Sequence, residues 1–227
     1  MFRRTHTAVI LTLLLFAIPS LGAEPGKPPK ISGIVVDEFG KPLLGVICSI
    51  SGIEQWRDGK WQVVFVTGLP REFRTDERGW FEIEFYGKVR YDLQFERAGY
   101  APAFVFQVAP DSPPFNVQME KGQIVQGRIE IVGKESPDFA AIMVCLRLPN
   151  SRGLWFQKST LLGHDGRFQF RVSPPPQVPG QDTRPKWQLV CAGEIVQLDV
   201  EKGKPVDEVV FEITTKSRTR PAKTIKQ

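Results

Sequence analysis

The sequence has little of the chemistry that enzymes need. It contains only 2 histidines in 227 residues, and one of them lies in the N-terminal segment that we expect to be removed. The other, His164, stands directly before an Asp165-Gly166 turn. A zinc centre with several histidines is therefore excluded, and the chain has no His-Glu-x-x-His, Gly-x-Ser-x-Gly or phosphate-binding glycine motif. We predict a non-enzymatic protein with no cofactor.

Ligands for a hard metal ion are also sparse. Paired acids occur in two turns, at Asp37-Glu38 and at Asp76-Glu77. Calcium takes six to eight oxygen ligands, and two separate pairs without a ligand-rich loop do not supply them. These acids are interpreted as solvated turn residues, and no metal site is predicted.

Cysteine is rare as well. The three cysteines, Cys48, Cys145 and Cys191, all lie in apolar segments of strand length. In an exported protein, Cys145 and Cys191 can form a disulfide, and Cys48 is then an unpaired cysteine. The alternative is three buried free thiols that act as small apolar side chains. The spacing leaves both interpretations open.

No apolar run is long enough to span a membrane as a helix. The longest early run, from Ala8 to Ile18, has 11 residues, whereas a spanning helix needs about 20. Two arginines precede it, and small residues follow it as far as Ala23. This order is typical of a cleaved secretory signal. We therefore predict a signal peptide over 1–23, a mature chain that begins at Glu24 without a transmembrane helix, and a secreted or periplasmic (cell-envelope) location.

The positive charge is concentrated at the ends of the chain. Setting aside two arginines in the signal segment and five bases in the tail 216–227 leaves 23 basic against 25 acidic residues. The body therefore has no nucleic-acid footprint. The tail, which contains no acid, is predicted to be a disordered, solvated terminus; the alternative is contact with an anionic surface.

After a proline-rich linker over 24–30, short apolar or alternating segments are separated by Gly, Asp and Pro. The clearest of these segments are Ile31–Val36, Leu43–Ser51, Trp61–Thr67, Trp80–Phe85 and Ala103–Val108. None sustains a 3.6-residue period over three turns, and β-branched and aromatic residues are enriched. The predicted fold class is all-β.

The order of these signals recurs along the chain. Gly33 is matched by Gly127, Gly79 by Gly166 and Leu93 by Leu189, at offsets of 94, 87 and 96 residues. Such constancy predicts two tandem copies of one small β-sandwich. We place the copies at 31–120 and 122–215.

The first copy resembles a known family. The segments that carry the resemblance are Ile31–Asp37, Gly40-Lys41-Pro42, Thr75–Phe81 and Ala98-Gly99-Tyr100. They are similar to the carboxypeptidase regulatory-like domain, a transthyretin-like Greek-key β-sandwich related to some starch-binding domains. The second copy has Gly133-Lys134-Glu135-Ser136-Pro137 in place of the first turn and lacks the Gly-Tyr pair, so it resembles a diverged relative. The resemblance implies the non-catalytic appendage of carboxypeptidases, without the peptidase.

The core of the first copy is predicted from apolar positions in these strands. The predicted members are Ile34, Val36, Val46, Phe81, Ile83, Leu93 and Phe95.

The most informative local feature is an insertion at Ile53–Val66. Its Asp58-Gly59 pair favours a two-residue hairpin turn, which places Trp56 opposite Trp61. Cross-strand tryptophans approach closely at such positions and share one face. The pair is either a flat stacking platform for a sugar or another ligand, or a structural cover over one end of the core.

Together these patterns predict an exported, non-enzymatic binding or scaffolding protein with a protein or polysaccharide partner outside the cytoplasm. A carbohydrate-binding module is the first alternative, because the fold resemblance and Trp56 and Trp61 favour it. An accessory protein to a separate peptidase is the second, and the family resemblance alone implies it.

Overall fold

The computed structural model describes residues 29–64, 72–84, 89–110, 112–132, 139, 142–149 and 155–214. These residues form β-strands and turns with no α-helix among them, which confirms the all-β class. No helix in this part of the chain is long and apolar enough to cross a bilayer. The predicted signal peptide, the linker up to residue 28 and the basic tail 216–227 lie outside the described residues.

Fifteen strands are present in these ranges. They are β1 Lys30–Val36, β2 Ile47–Arg57, β3 Lys60–Val63, β4 Glu72–Arg74, β5 Trp80–Glu84, β6 Val89–Glu96, β7 Ala103–Val108, β8 Phe115–Gln118, β9 Gln123–Val132, β10 Met143–Pro149, β11 Trp155–Leu161, β12 Arg167–Val172, β13 Trp187–Cys191, β14 Glu194–Leu198 and β15 Val209–Thr214.

The first sandwich packs a three-stranded sheet, ordered β5-β1-β8, against a five-stranded sheet. The larger sheet is ordered β3-β2-β6-β7, with β4 also paired to β2. Its core contains Ile31, Val35, Ile83, Tyr91 and Phe95, all with at most 1% of their surface exposed. Alternation along each strand delivers these side chains to one face, where burial of their apolar surface stabilises the sandwich.

The second sandwich repeats this strand order. A three-stranded sheet β12-β9-β15 packs against a four-stranded sheet β11-β10-β13-β14. In both sandwiches the first and last strands pair in parallel, β1 with β8 and β9 with β15. The second core is built around the fully buried Trp187 and Leu189.

The repeated glycines occupy equivalent places. Gly33 on β1 lies opposite Phe81 on β5, and Gly127 on β9 lies opposite Phe168 on β12. A Cβ at either glycine would overlap the carbonyl oxygen of the neighbouring parallel strand and crowd the facing phenylalanine ring. Glycine is therefore required so that the first and last strands can approach closely while a large ring covers them.

The orientation of β1 differs from the sequence-based core prediction. Val46, Phe81, Ile83, Leu93 and Phe95 are buried as predicted. Ile34 and Val36, however, are half-exposed, and it is Ile31, Gly33 and Val35 that face inward. Because the side-chain period of a strand is two, placing a glycine on the core side inverted the expected orientation of every residue in β1.

The acidic turns use their carboxylates locally. One oxygen of Asp37 accepts hydrogen bonds from the backbone N–H groups of Phe39 and Lys41, at 2.9 and 2.8 Å. Asp76 accepts from those of Arg78 and Trp80 in the same way. These acids stabilise turns by satisfying backbone donors.

An aromatic contact joins the two sandwiches. Phe104, on β7 of the first sandwich, packs against the second core. Its ring centroid lies 5.6 Å from that of Phe156, edge to face, and 6.3 Å from that of Trp187. Two ion pairs flank this contact, Glu96 with Lys158 at 3.0 Å and Glu120 with Lys202 at 3.2 Å. We call Phe104, Phe156 and Trp187 the aromatic joint.

Candidate functional site

The candidate site is the hairpin formed by β2 and β3. Its two turn residues both have positive φ, 51° at Asp58 and 75° at Gly59, as a type I′ turn requires. The two-residue loop fixes the register, so Arg57 pairs with Lys60 and Trp56 with Trp61. The predicted hairpin geometry is confirmed.

The two indoles touch but do not form one flat surface. Their ring centroids are 5.4 Å apart and the ring planes meet at 66°, an edge-to-face arrangement. Trp56 is 53% exposed, whereas Trp61 is partly buried. A coplanar platform is therefore not what the structure contains, and a flat ligand would find one exposed indole, that of Trp56.

A third side chain completes this cluster. The guanidinium carbon of Arg90, on β6, lies 3.9 Å from the ring centroid of Trp61. A cation at this distance over an indole face is attracted by the negative potential of the ring. Arg90 holds Trp61 from one side while Trp56 contacts it from another, so Trp61 is the packed member of the pair.

Sequence reasoning missed Arg90. Its place depends on the pairing of β6 with β2, in which Arg90 lies opposite Glu54, 36 residues earlier in the chain. A bulge between Ile50 and Gly52 shifts that register. No local pattern around Arg90 signals the contact.

The tip of the hairpin is rich in hydrogen-bond donors. Arg57 donates from Nε to Oε1 of Gln55 at 2.8 Å, and Arg57, Lys60 and Trp56 are all exposed. Because side chains alternate along a strand, Gln55, Arg57 and Lys60 project from the face opposite to Trp56, and the exposed indole of Trp56 is the surface on which a ring can stack. This arrangement suits ligand binding, and it contains no nucleophile paired with a general base.

The alternative of a disulfide between Cys145 and Cys191 is not realised. Cys191 lies opposite Val144, whose side chain is in the core, whereas Cys145 lies opposite Val190 and Ser159. The two thiols therefore point to opposite faces of one sheet, and Cys145 Sγ instead lies 3.2 Å from Ser159 Oγ. All three cysteines are free and buried, as the other interpretation had it.

Two of the buried thiols, those of Cys48 and Cys191, are poor nucleophiles. Burial raises the pKa of Cys48 from its ordinary 9.0 to about 12. Burial also raises the pKa of Cys191, with a smaller contribution from the nearby Cys145. Because the thiolate is the reactive form, these cysteines act as packing residues.

His164 is an exposed residue of the turn that precedes β12. Among the described residues, no three His, Cys, Asp or Glu side chains lie close enough together to hold a metal ion.

Comparison with known proteins yields structural likenesses only. No protein-family model matches the chain. No curated protein matches it either. Among solved structures, it is similar to a streptococcal ancillary pilin at 16% identity and a TM-score of 0.29, covering 86% of this chain but 64% of the pilin. A single B repeat unit of the collagen-binding surface protein of Staphylococcus aureus aligns at 11% identity and a TM-score of 0.26, over 83% of this chain and all of that unit. A shaft pilin mutant from Lactobacillus rhamnosus GG aligns at 9% identity and a TM-score of 0.25, over 82% of this chain and 96% of the pilin. The function is accordingly argued from this chain's own residues.

Proposed function

We propose that this is an exported, non-enzymatic binding and scaffolding protein. The observation that carries the proposal is the aromatic joint, in which Phe104 of one sandwich packs on Phe156 and Trp187 of the next. A chain of separate modules needs only a flexible linker, whereas this contact fixes two sandwiches to each other. A scaffold requires that fixed geometry, because its binding surfaces must keep their spacing.

Export is the second part of the proposal. It rests on the basic, apolar and small-residue order of the first 23 residues. Expression of the full chain in a bacterial host should yield extracytoplasmic protein that begins at Glu24. N-terminal sequencing of the exported protein measures this directly. Exported protein that still begins with Met1 would contradict a cleaved signal peptide.

Carbohydrate binding is the second candidate, and the exposed indole of Trp56 favours it. Sugar rings stack on single aromatic faces, and the indole of Trp56 is 53% exposed. The resemblance to carboxypeptidase regulatory-like domains, which share a fold with some starch-binding domains, agrees with it.

A glycan array separates the two candidates. The mature protein and its Trp56→Ala variant are compared, with Ile195→Ala as the control, because Ile195 is also exposed but lies in the second sandwich. Glycan binding that disappears only in Trp56→Ala supports the carbohydrate candidate. The absence of any glycan signal, together with capture of a protein partner from the same compartment, supports the scaffold.

A further inference from the structure

A second surface lies where the sandwiches meet. The turn between β6 and β7 of the first sandwich faces β11 and β12 of the second across a cleft of about 220 Å³. The side chains that matter are Arg97 and Tyr100 on one wall and Lys158 and Arg171 on the other. Clefts between packed modules are common places for ligands.

The cleft carries an excess of positive charge. Three cations line it, and its single acid, Glu96, is already paired with Lys158 at 3.0 Å. Arg97 lies against Tyr100, with 5.5 Å between its guanidinium carbon and the ring centroid. Arg171 donates to the backbone carbonyl of Lys121 at 3.3 Å. Neither arginine has a carboxylate partner in the part of the chain that the structure describes.

Both arginines therefore keep guanidinium donors for a ligand. A guanidinium presents paired N–H groups that match the two oxygens of a carboxylate, and partial removal from water strengthens the interaction. This chemistry selects an anion.

The cleft is also bounded by a strand edge. In its sheet, β12 is paired on one side with β9, and no other described strand pairs with it. Residues 169–171 of β12 line the cleft. A strand edge presents backbone N–H and C=O groups to which an extended peptide can pair, and neither a sugar nor phosphate matches that ladder.

We infer that this cleft binds an extended acidic segment of a partner protein. The segment adds along the edge of β12 and places its carboxylates on Arg97 and Arg171. The inference deepens the proposed scaffold function, on which it rests, by giving the scaffold's partner a chemistry and a place.

Isothermal titration of the wild-type mature protein tests the ligand class. The probes are the acetylated, amidated pentapeptide Glu-Val-Glu-Val-Glu, its lysine counterpart, trigalacturonate and inorganic phosphate. The acidic peptide should bind, the lysine peptide should not, and the other two anions should bind about tenfold more weakly or less. Equal binding of all three anions, or no binding of the acidic peptide at millimolar concentration, overturns the inference.

Matched variants test the position. Arg97→Glu and Arg171→Glu should each weaken the acidic peptide about tenfold or more. The control is Arg167→Glu, on the same strand as Arg171 but outside the cleft, where it pairs with Asp165 at 3.4 Å; it should change affinity less than twofold. Equal losses of affinity in all three variants would mean that the overall positive charge attracts the peptide, and the proposed position in the cleft would then be wrong.

Arg97→Gln and Arg171→Gln remove charge without reversing it and serve if the glutamate variants fold poorly; each should still weaken peptide binding several-fold. Export and partner capture by the intact protein are measured separately. If they persist while the peptide result fails, the cleft is rejected and the proposed function stands.

Discussion

The two tryptophans of the hairpin should contribute unequally to stability, and the structure sets the sign of the difference. Trp56→Ala removes one edge-to-face contact, which is worth about 0.5–1.5 kcal/mol beyond area burial. Trp61→Ala removes the same contact and also the cation–π contact with Arg90, worth roughly 0.5–1 kcal/mol at a partly exposed site. Because Trp61 is also the more buried of the two, Trp61→Ala should lower the free energy of unfolding by at least about 0.5–1 kcal/mol more than Trp56→Ala.

Urea denaturation of both single variants and the double variant measures this, with ΔG compared at a common m-value. The cycle should give a coupling of about 0.5–1.5 kcal/mol between the two indoles. Arg90→Met is the control, because it keeps most of the packing; it should destabilise the wild type more than it destabilises Trp61→Ala. A larger loss in Trp56→Ala, or no coupling, would refute the assignment of Trp61 as the support and Trp56 as the ligand-facing residue.

Three further perturbations follow from the packing. Phe104→Ala should lower the free energy of unfolding by about 2 kcal/mol, since the ring is half-buried, and should split calorimetric unfolding into two transitions. The control Phe115→Ala, at a ring half-buried in the first sandwich alone, should lower stability and leave one transition. A single unshifted transition in Phe104→Ala would contradict the aromatic joint. In chemical denaturation, Gly33→Ala should lower the free energy of unfolding by about 3 kcal/mol or more. Gly40→Ala, whose Cβ would meet open space at a φ of 81°, should lower it by about 1 kcal/mol. Equal losses in the two variants would argue against the close approach of the strands at Gly33. The unfolded chain releases the Cys48 proton near pH 9, whereas the folded chain releases it only near pH 12. The contribution of Cys48 to stability should therefore be complete below pH 9 and fall by up to about 4 kcal/mol as the pH rises to 12, and Cys48→Ala should reduce this loss. If the dependence of stability on pH is the same in Cys48→Ala, the buried thiol is not its cause.

Local patterns predicted the parts of the fold that local chemistry decides. The all-β class follows from strand-length segments, and the β2–β3 turn follows from Asp58-Gly59, because few other dipeptides accept two positive φ angles in succession. The pairing of Trp56 with Trp61 is then a matter of counting residues from the turn.

Features that depend on distant pairing were not predictable in this way. The prediction of which side of β1 faces the core was wrong because Gly33 gives no hydrophobic signal, although it occupies the core position opposite Phe81. Arg90 reaches the hairpin only through a bulged register, and Phe104 looks like an ordinary strand residue until the second sandwich is placed on it. The choice between a disulfide and free thiols needed the β10–β13 register, which decides the faces of Cys145 and Cys191.

If the aromatic joint makes the two sandwiches one rigid scaffold, the distance between a spin label on each sandwich should have a single value. Spin labels are attached through Glu77→Cys in the first sandwich and Glu194→Cys in the second; both positions are exposed, while the native cysteines are buried. Double electron–electron resonance, a pulsed EPR method, should give one narrow distance distribution in the wild-type background. The same pair of labels should give a broader distribution when Phe104→Ala removes the aromatic joint. A broad distribution in the wild-type background would contradict the scaffold.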